Sequence, residues 1–139
     1  MMVWVLCFLF TFSNLFSQDI IAKKERELHY PKKVLVVAIN KYLQKQKQSK
    51  TKSGTAAFTK KVPATSSDDI YGDITHLIIL KLQATGKDQC LLTVSCVSDC
   101  EKFKTLSETV GVARLAEVMH DLAEPICDEV MSAIIDKID

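Results

Sequence analysis

Cysteine and histidine are the residues of this chain whose types could support catalysis or metal binding. No His-Glu-x-x-His or Cys-x-x-Cys pair occurs, and neither a phosphate-binding loop nor a nucleophile elbow is present. His76 is expected to be a hydrogen-bonded strand residue. His120 and Asp121 are neighbours on a predicted helix and are expected to point apart. We therefore predict that the chain is not an enzyme and has no metal or cofactor.

The N-terminal segment indicates export from the cell. Residues 1–17, MMVWVLCFLFTFSNLFS, contain no Asp, Glu, Lys or Arg and end in a small residue, as is typical of a secretory signal peptide. The apolar run is shorter than the about 20 residues that a spanning helix needs. Cleavage near Ser17 is therefore favoured over an uncleaved anchor, and we predict a secreted, extracellular protein.

The cysteines that follow this segment are predicted to form disulfides. Four of them, an even number, favour two bridges in an exported chain: Cys90, Cys96, Cys100 and Cys127. Cys90 and Cys96 lie on one predicted strand, where six residues span roughly 20 Å, so they cannot bond to each other. Two connectivities stay open: Cys96–Cys100 with Cys90–Cys127, and Cys90–Cys100 with Cys96–Cys127.

Charge is unevenly distributed along a chain whose net charge is only +1. Residues 18–65 carry twelve Lys or Arg and three Asp or Glu, whereas residues 66–139 carry six and fourteen. The densest basic run, here called the basic loop, comprises Lys41, Lys45, Lys47, Lys50 and Lys52. Its partner could be an anionic matrix or a glycosaminoglycan, unless the run is simply solvated. A nucleic acid partner is not supported, because the chain is predicted to be exported.

Apolar periodicity predicts an α+β fold. A helix is predicted from Pro31 to about Gln46, with an apolar stripe formed by Leu35, Ala38, Ile39, Tyr42 and Leu43. Three strands follow: TAAFTKKV, a long strand in Ile74–Leu82, and CLLTVSC, which pairs with the long strand as a hairpin. The long strand has bulky apolar groups on both faces, so we predict a central strand that is mostly covered. The tail is helical, and Pro125 should kink the helix or start a second one.

The segments VLVVAINKYLQKQ, FTKKVPATSSDDIYGDITHLIILKL and GKDQCLLTV resemble the first half of latexin and its relatives, ovocalyxin and the retinoic acid receptor responder protein. The shared features are an Asp-Ile-x-Gly joint before a long strand, here Asp69, Ile70 and Gly72, and a cysteine that opens the next strand, here Cys90. The tail ARLAEVMHDLAEPI resembles the helical connector of that family. The resemblance implies a cystatin-like fold: signal peptide 1–17, cystatin-like domain 18–104, C-terminal helical segment 105–139.

Latexin consists of two cystatin-like halves and inhibits metallocarboxypeptidases. The resemblance therefore implies a secreted protease inhibitor that occludes a metallocarboxypeptidase active site, with a homodimer as one way to supply a second half. Classical cystatins instead block cysteine proteases with a Gln-x-Val-x-Gly hairpin, where this chain has DDIYG. Two alternatives thus stay open: a cysteine protease inhibitor with a degenerate joint, and a non-inhibitory binding or matrix protein that uses the basic loop. The candidate inhibitory residues are Asp68, Asp69, Ile70, Tyr71 and Gly72, although Gly72 could also serve only to relieve a tight bend.

Overall fold

A computed structural model of the chain describes residues 21–65 and 70–138. These residues form four strands and three helices: β1 (Ile21–Leu28), α1 (Lys32–Lys45), β2 (Ala56–Val62), β3 (Ile74–Gly86), β4 (Gln89–Cys100), α2 (Phe103–Val110) and α3 (Val112–Ile135). The predicted α+β class is confirmed. The predicted signal peptide, residues 1–17, lies outside the described residues. Within the described part, no helix has the length and apolar character that crossing a membrane requires.

The strands form one antiparallel sheet in the order β1–β4–β3–β2. β3 and β4 make the predicted hairpin, but both are longer than predicted, since β3 continues to Gly86 and β4 to Cys100. Pairing reaches from Gly86 opposite Gln89 to Ile74 opposite Cys100. The backbone hydrogen bonds between the two strands thus continue beyond the apolar pattern, into residues that are mostly polar.

The apolar pattern does not predict β1. Five of its eight residues are charged, and only Ala22 and Leu28 are buried. It nevertheless pairs with β4 along its whole length, from Ile21 opposite Val97 to Leu28 opposite Cys90. Charged side chains suit an edge strand, because they discourage pairing with a further chain. Here the backbone hydrogen bonds, rather than an apolar face, hold the strand in the sheet.

β3 is a central strand, as predicted, but it is not mostly covered, because only one of its faces is buried. Ile78 and Leu80 are at most 1% exposed, whereas Leu77 and Ile79 on the opposite face are each 37% exposed. Successive side chains of a strand point to opposite faces, and the core lies on the first of them. Bulky side chains on both faces of a strand did not imply a second covering layer.

The core lies between this face of the sheet and helices α1 and α3. All five residues of the predicted α1 stripe are buried: Leu35, Ala38, Ile39, Tyr42 and Leu43. The stripe packs in one cluster with the buried residues of β3 and β4 and with the C-terminal half of α3. The predicted boundary between residues 104 and 105 falls within α2, and α3 shares its core with the sheet.

The helical tail breaks at Gly111 and not at Pro125. Gly111 separates α2 from α3 and has φ +90°, a backbone conformation that favours glycine. Pro125 lies inside the 24-residue helix α3, so the expectation that a second helix starts there is wrong. α3 therefore reaches both the main core and a small second cluster of Cys100, Leu115 and Met119.

Candidate functional site

The joint that precedes β3 presents one apolar side chain to solvent. Ile70 is 65% exposed, whereas Tyr71 next to it packs against the cluster of Cys100, Leu115 and Met119. Asp68 and Asp69, the other two predicted members of the joint, lie outside the described residues. In the described part of the joint, the Ile70 side chain is therefore exposed to solvent and the neighbouring Tyr71 ring is packed against the protein.

Backbone hydrogen bonds hold the joint against the end of β4. The Glu101 amide donates to the carbonyl of Asp73 over 2.9 Å, and the Lys102 amide donates to the carbonyl of Tyr71 over 3.1 Å. Between them, Gly72 has φ +72°, and a Cβ atom there would lie 2.7 Å from Glu101 Oε1. A glycine is required at this position both by the backbone conformation and by the close approach of Glu101.

Asp73 fixes the other side of the joint. Its Oδ1 accepts a hydrogen bond from the Ala64 amide over 2.8 Å, and its Oδ2 lies 3.1 Å from Lys61 Nζ. The amide hydrogen bond, followed by that from Lys61, lowers the pKa of the Asp73 carboxyl below its usual value. Sequence reasoning missed Asp73, although an aspartate directly after a turn glycine is a common turn signal.

The joint and the basic loop lie at opposite ends of β2. The joint connects to the strand pair where Val62 faces Ile74, whereas the basic loop enters β2 at Ala56, which faces Leu80. Six residue steps of extended strand separate these ends by about 20 Å. The two predicted sites are therefore separate surfaces and cannot contact one small ligand together.

Lys41 and Lys45 of the basic loop lie in α1, whereas the segment after the helix, which carries Lys47, Lys50 and Lys52, is fixed along one face of α1. The Asn40 side chain accepts from the Thr51 amide over 2.8 Å and donates to the Thr51 carbonyl over 2.9 Å. Gly54, which precedes β2, is buried with φ +83°, and a Cβ there would lie 2.8 Å from the Leu82 side chain. The loop therefore runs back beside α1 in a defined conformation, although its composition suggests a flexible segment.

The five predicted lysines of the basic loop are exposed, but they do not form one surface. Lys52 meets Lys32, Lys33 and Val36 of α1 around a shallow groove of about 360 Å³. Lys32 and Lys33 were not predicted to take part, because they are distant from the loop in sequence. They lie in the first turn of α1, where the helix dipole also favours an anion.

Lys45 belongs to a different cavity, of about 290 Å³, between α1, the sheet and α3. Lys60 and Lys137 line the same cavity together with the acidic Glu129 and the ring of Tyr42. Burial of that ring, assisted by the charge of Glu129, raises the pKa of Tyr42 to about 12. Charges of both signs surround this cavity, so it lacks the uniform positive charge predicted for the loop.

The four described cysteines are free thiols, and all are buried. Cys90, Cys96 and Cys100 all lie on β4, and each predicted connectivity would join two of them. At about 3.3 Å per residue, Cys96 and Cys100 are about 13 Å apart and Cys90 and Cys100 about 33 Å, whereas a disulfide needs Cα atoms within about 7 Å. Both predicted connectivities are therefore incompatible with the extended β4.

His76 is a hydrogen-bonded core residue, as expected. Its Nδ1 lies 2.6 Å from Ser98 Oγ on the neighbouring strand, and both side chains are buried. Burial, and secondarily the charge of Lys60, lowers the pKa of His76. The pair forms a polar contact between β3 and β4 inside the sheet.

His120 and Asp121 do not point apart, so that expectation is wrong. His120 Nδ1 lies 3.8 Å from Asp121 Oδ1, and possible ligand atoms of His120, Asp121 and Glu124 all lie within 4.8 Å of one another. Adjacent helix residues can meet when their side chains bend along the surface. Asp121 and Glu124 are exposed, and such acidic groups on a helix are common without a metal.

Comparisons with protein-family models, with curated proteins and with solved structures gave no match. The resemblance to latexin therefore stays a prediction.

Proposed function

We propose that this chain is a secreted inhibitor of an extracellular protease, built on a cystatin-like fold of the latexin type and directed at a metallocarboxypeptidase. It acts by occupying the entrance of the active site. The observation that carries the proposal is the joint before β3, in which Ile70 is 65% exposed while the carbonyls of Tyr71 and Asp73 accept hydrogen bonds from the end of β4. An apolar side chain at the end of a sheet is the kind of group that fills a specificity pocket.

The described part of the joint is suited to binding because residues 71–73 are held by contacts before a partner arrives. Tyr71 packs into the second cluster, Gly72 allows the turn, and Asp73 holds the preceding strand through Ala64 and Lys61. A loop that already has its bound conformation loses little conformational entropy on association. Inhibition of this kind needs no chemical step by the chain itself.

The test is a titration of carboxypeptidase A and, separately, of papain with the full chain. We expect carboxypeptidase activity to fall in proportion to added chain until the two are equimolar. Replacing Ile70 by Asp should raise the inhibition constant by at least about 30-fold, since a central interface residue contributes about 2 kcal/mol or more. Val37→Asp is the matched control, because Val37 is a 53% exposed apolar residue on α1 and should have no effect.

Three results separate the alternatives. Inhibition of papain alone would replace the proposal by a cysteine protease inhibitor with a degenerate joint. Equal loss of inhibition in the Ile70 and Val37 variants would place the contact elsewhere than at the joint. Full activity of both proteases at a large excess of chain would refute the inhibitor proposal.

A second candidate function is favoured by the groove of Lys32, Lys33, Val36 and Lys52. Three ammonium groups and the N-terminal end of α1 face one shallow surface of about 360 Å³, which suits sulfate or carboxylate groups of a glycosaminoglycan. Under this function the chain is a non-inhibitory matrix-binding protein. The lysines that would act are then Lys32, Lys33 and Lys52, and not the whole basic loop.

Binding to immobilised heparin tests this second candidate. The triple variant Lys32→Gln, Lys33→Gln, Lys52→Gln should elute at clearly lower salt than the unchanged chain. A control variant removes the same number of exposed lysines from other surfaces: Lys81→Gln, Lys87→Gln, Lys104→Gln. Equal shifts in the two variants would mean that net charge alone drives binding, and this would refute a specific groove.

A further inference from the structure

Cys127 of α3 lies over the pair of strands that contains Cys96. The Cys127 thiol donates to the carbonyl of Ala22 over 3.4 Å and contacts the carbonyl of Val94 at 3.6 Å. Ala22 is the residue of β1 directly opposite Cys96, and Val94 precedes Cys96 by two positions on the same face of β4. The helix therefore brings Cys127 to the one β4 cysteine in the middle of the sheet.

The thiols of Cys96 and Cys127 also contact each other. A hydrogen bond between them lowers the pKa of Cys96 and, together with burial, raises the pKa of Cys127. Both residues are at most 1% exposed. The other two described cysteines have different surroundings, since the Cys90 thiol donates to the Tyr30 carbonyl over 3.6 Å and Cys100 packs in the second cluster.

We propose that Cys96 and Cys127 form a disulfide that fastens α3 across β1 and β4, and that Cys90 and Cys100 remain thiols. This bridge would be a single crosslink between the inner strand β4 and the C-terminal helix. It does not depend on the proposed inhibitor function. Among the four described cysteines, it is the pair whose sulfur atoms need no rearrangement of β4 to meet.

The oxidant is a small disulfide of the glutathione class. The Cys96 thiolate attacks one sulfur of oxidised glutathione, which forms a mixed disulfide and releases one reduced glutathione. Cys127 then loses its proton, attacks the Cys96 sulfur and releases a second reduced glutathione. The protein loses two electrons and two protons, and glutathione gains both. Because both thiols are buried, the exchange takes place when α3 opens transiently or during folding.

The experiment uses the full chain with Cys7→Ser, which removes the one cysteine outside the described residues. The protein is incubated with oxidised glutathione, its free thiols are alkylated before and after denaturation, and its peptides are mapped by mass spectrometry. We expect one crosslinked pair of peptides that contains Cys96 and Cys127, whereas Cys90 and Cys100 are alkylated after denaturation. The thermal midpoint should rise by about 10 °C, because the bridge closes a loop of about 30 residues.

Matched variants separate this bridge from general oxidation. The double variant Cys90→Ala, Cys100→Ala should keep the rise in midpoint, and Cys127→Ala should lose it. The peptide map of the parent protein is decisive even if a variant folds poorly. A bridge that contains Cys90 or Cys100, a stable glutathione adduct on Cys96, or four free thiols after complete exchange would each overturn the proposal.

Discussion

Replacing Gly72 by Ala should destabilise the fold by about 2–3 kcal/mol. This magnitude is the sum of a backbone cost and a steric cost. The backbone at Gly72 has φ +72°, and an L-residue in such a left-handed conformation costs about 1–2 kcal/mol. The added Cβ would also lie 2.7 Å from Glu101 Oε1 and 3.0 Å from Glu101 Cβ. The Oε1 atom can move away, but the Glu101 Cβ is fixed to the backbone, so we assign about 1 kcal/mol to overpacking.

Two other glycines provide the controls for this prediction. Gly111 has φ +90° and ψ 146° but no heavy atom within 4 Å of an added Cβ, so Gly111→Ala measures the cost of a glycine-only backbone conformation without a steric contact. Gly86 has neither positive φ nor a contact closer than 3.6 Å, and Gly86→Ala should change stability by less than about 0.5 kcal/mol. The free energy of unfolding of each variant is measured by urea denaturation.

The order of the three variants in free energy of unfolding tests the prediction for Gly72. If Gly72→Ala unfolds at the same urea concentration as Gly86→Ala, the reasoning about the joint is refuted, because neither strain nor contact would then act there. The double variant Gly72→Ala, Glu101→Ala keeps the Cβ atom of residue 101 and should therefore recover little of the loss relative to Gly72→Ala. A large recovery would show that the Glu101 carboxylate, and not its Cβ, is the obstacle.

Three further predictions follow from the sheet and the loop. Leu80→Ala should cost about 2–5 kcal/mol, whereas Leu77→Ala on the exposed face of the same strand should cost less than about 1 kcal/mol; equal losses in urea denaturation would contradict the one-sided core. Because burial places the pKa of His76 below its unfolded value near 6.5, the unfolded chain binds more protons, so stability should fall as pH drops below about 6.5. His76→Gln should flatten that part of the stability profile, and an unchanged slope would assign it to other groups. Asn40→Ala removes both hydrogen bonds to Thr51 and should cost about 1–2 kcal/mol and accelerate amide exchange in the basic loop; unchanged exchange would mean that the loop is held by other contacts.

The sequence was most informative where one apolar face decides the structure. The Val and Ile residues of this segment also favour a strand, but its length and the spacing of the α1 stripe from Leu35 to Leu43 predict a helix, and all members of the stripe are buried. β1 could not be found in this way, because backbone pairing with β4 holds it while its side chains remain charged and exposed. Extended pairing of this kind depends on a partner about 70 residues away, which local periodicity does not reveal.

The candidate sites also depend on contacts between distant residues, which local sequence patterns do not reveal. Ile70 and Gly72 were identified from the joint motif, but Asp73 was missed, because its role depends on Ala64 and Lys61 across the turn. Lys32 and Lys33 were missed because the loop folds back along α1 and brings Lys52 to them. The disulfide connectivities were wrong since β4 is longer than its apolar pattern, and Cys100 therefore lies on the same strand as Cys90 and Cys96.

The pairing of β1 with β4 also has a consequence for the order of folding. β3 and β4 are joined by a short turn and can pair early, whereas the partners Ile21 and Val97 are separated by 76 positions (97 − 21). Closing a long loop is entropically slower than closing a hairpin, so we expect β1 to join last. Pulse-labelled hydrogen exchange would detect this as late protection of residues 21–28, and simultaneous protection of all strands would contradict it. Until β1 arrives, the edge of β4 exposes its unpaired backbone groups, and a newly synthesised chain would be most prone to aggregate in that interval.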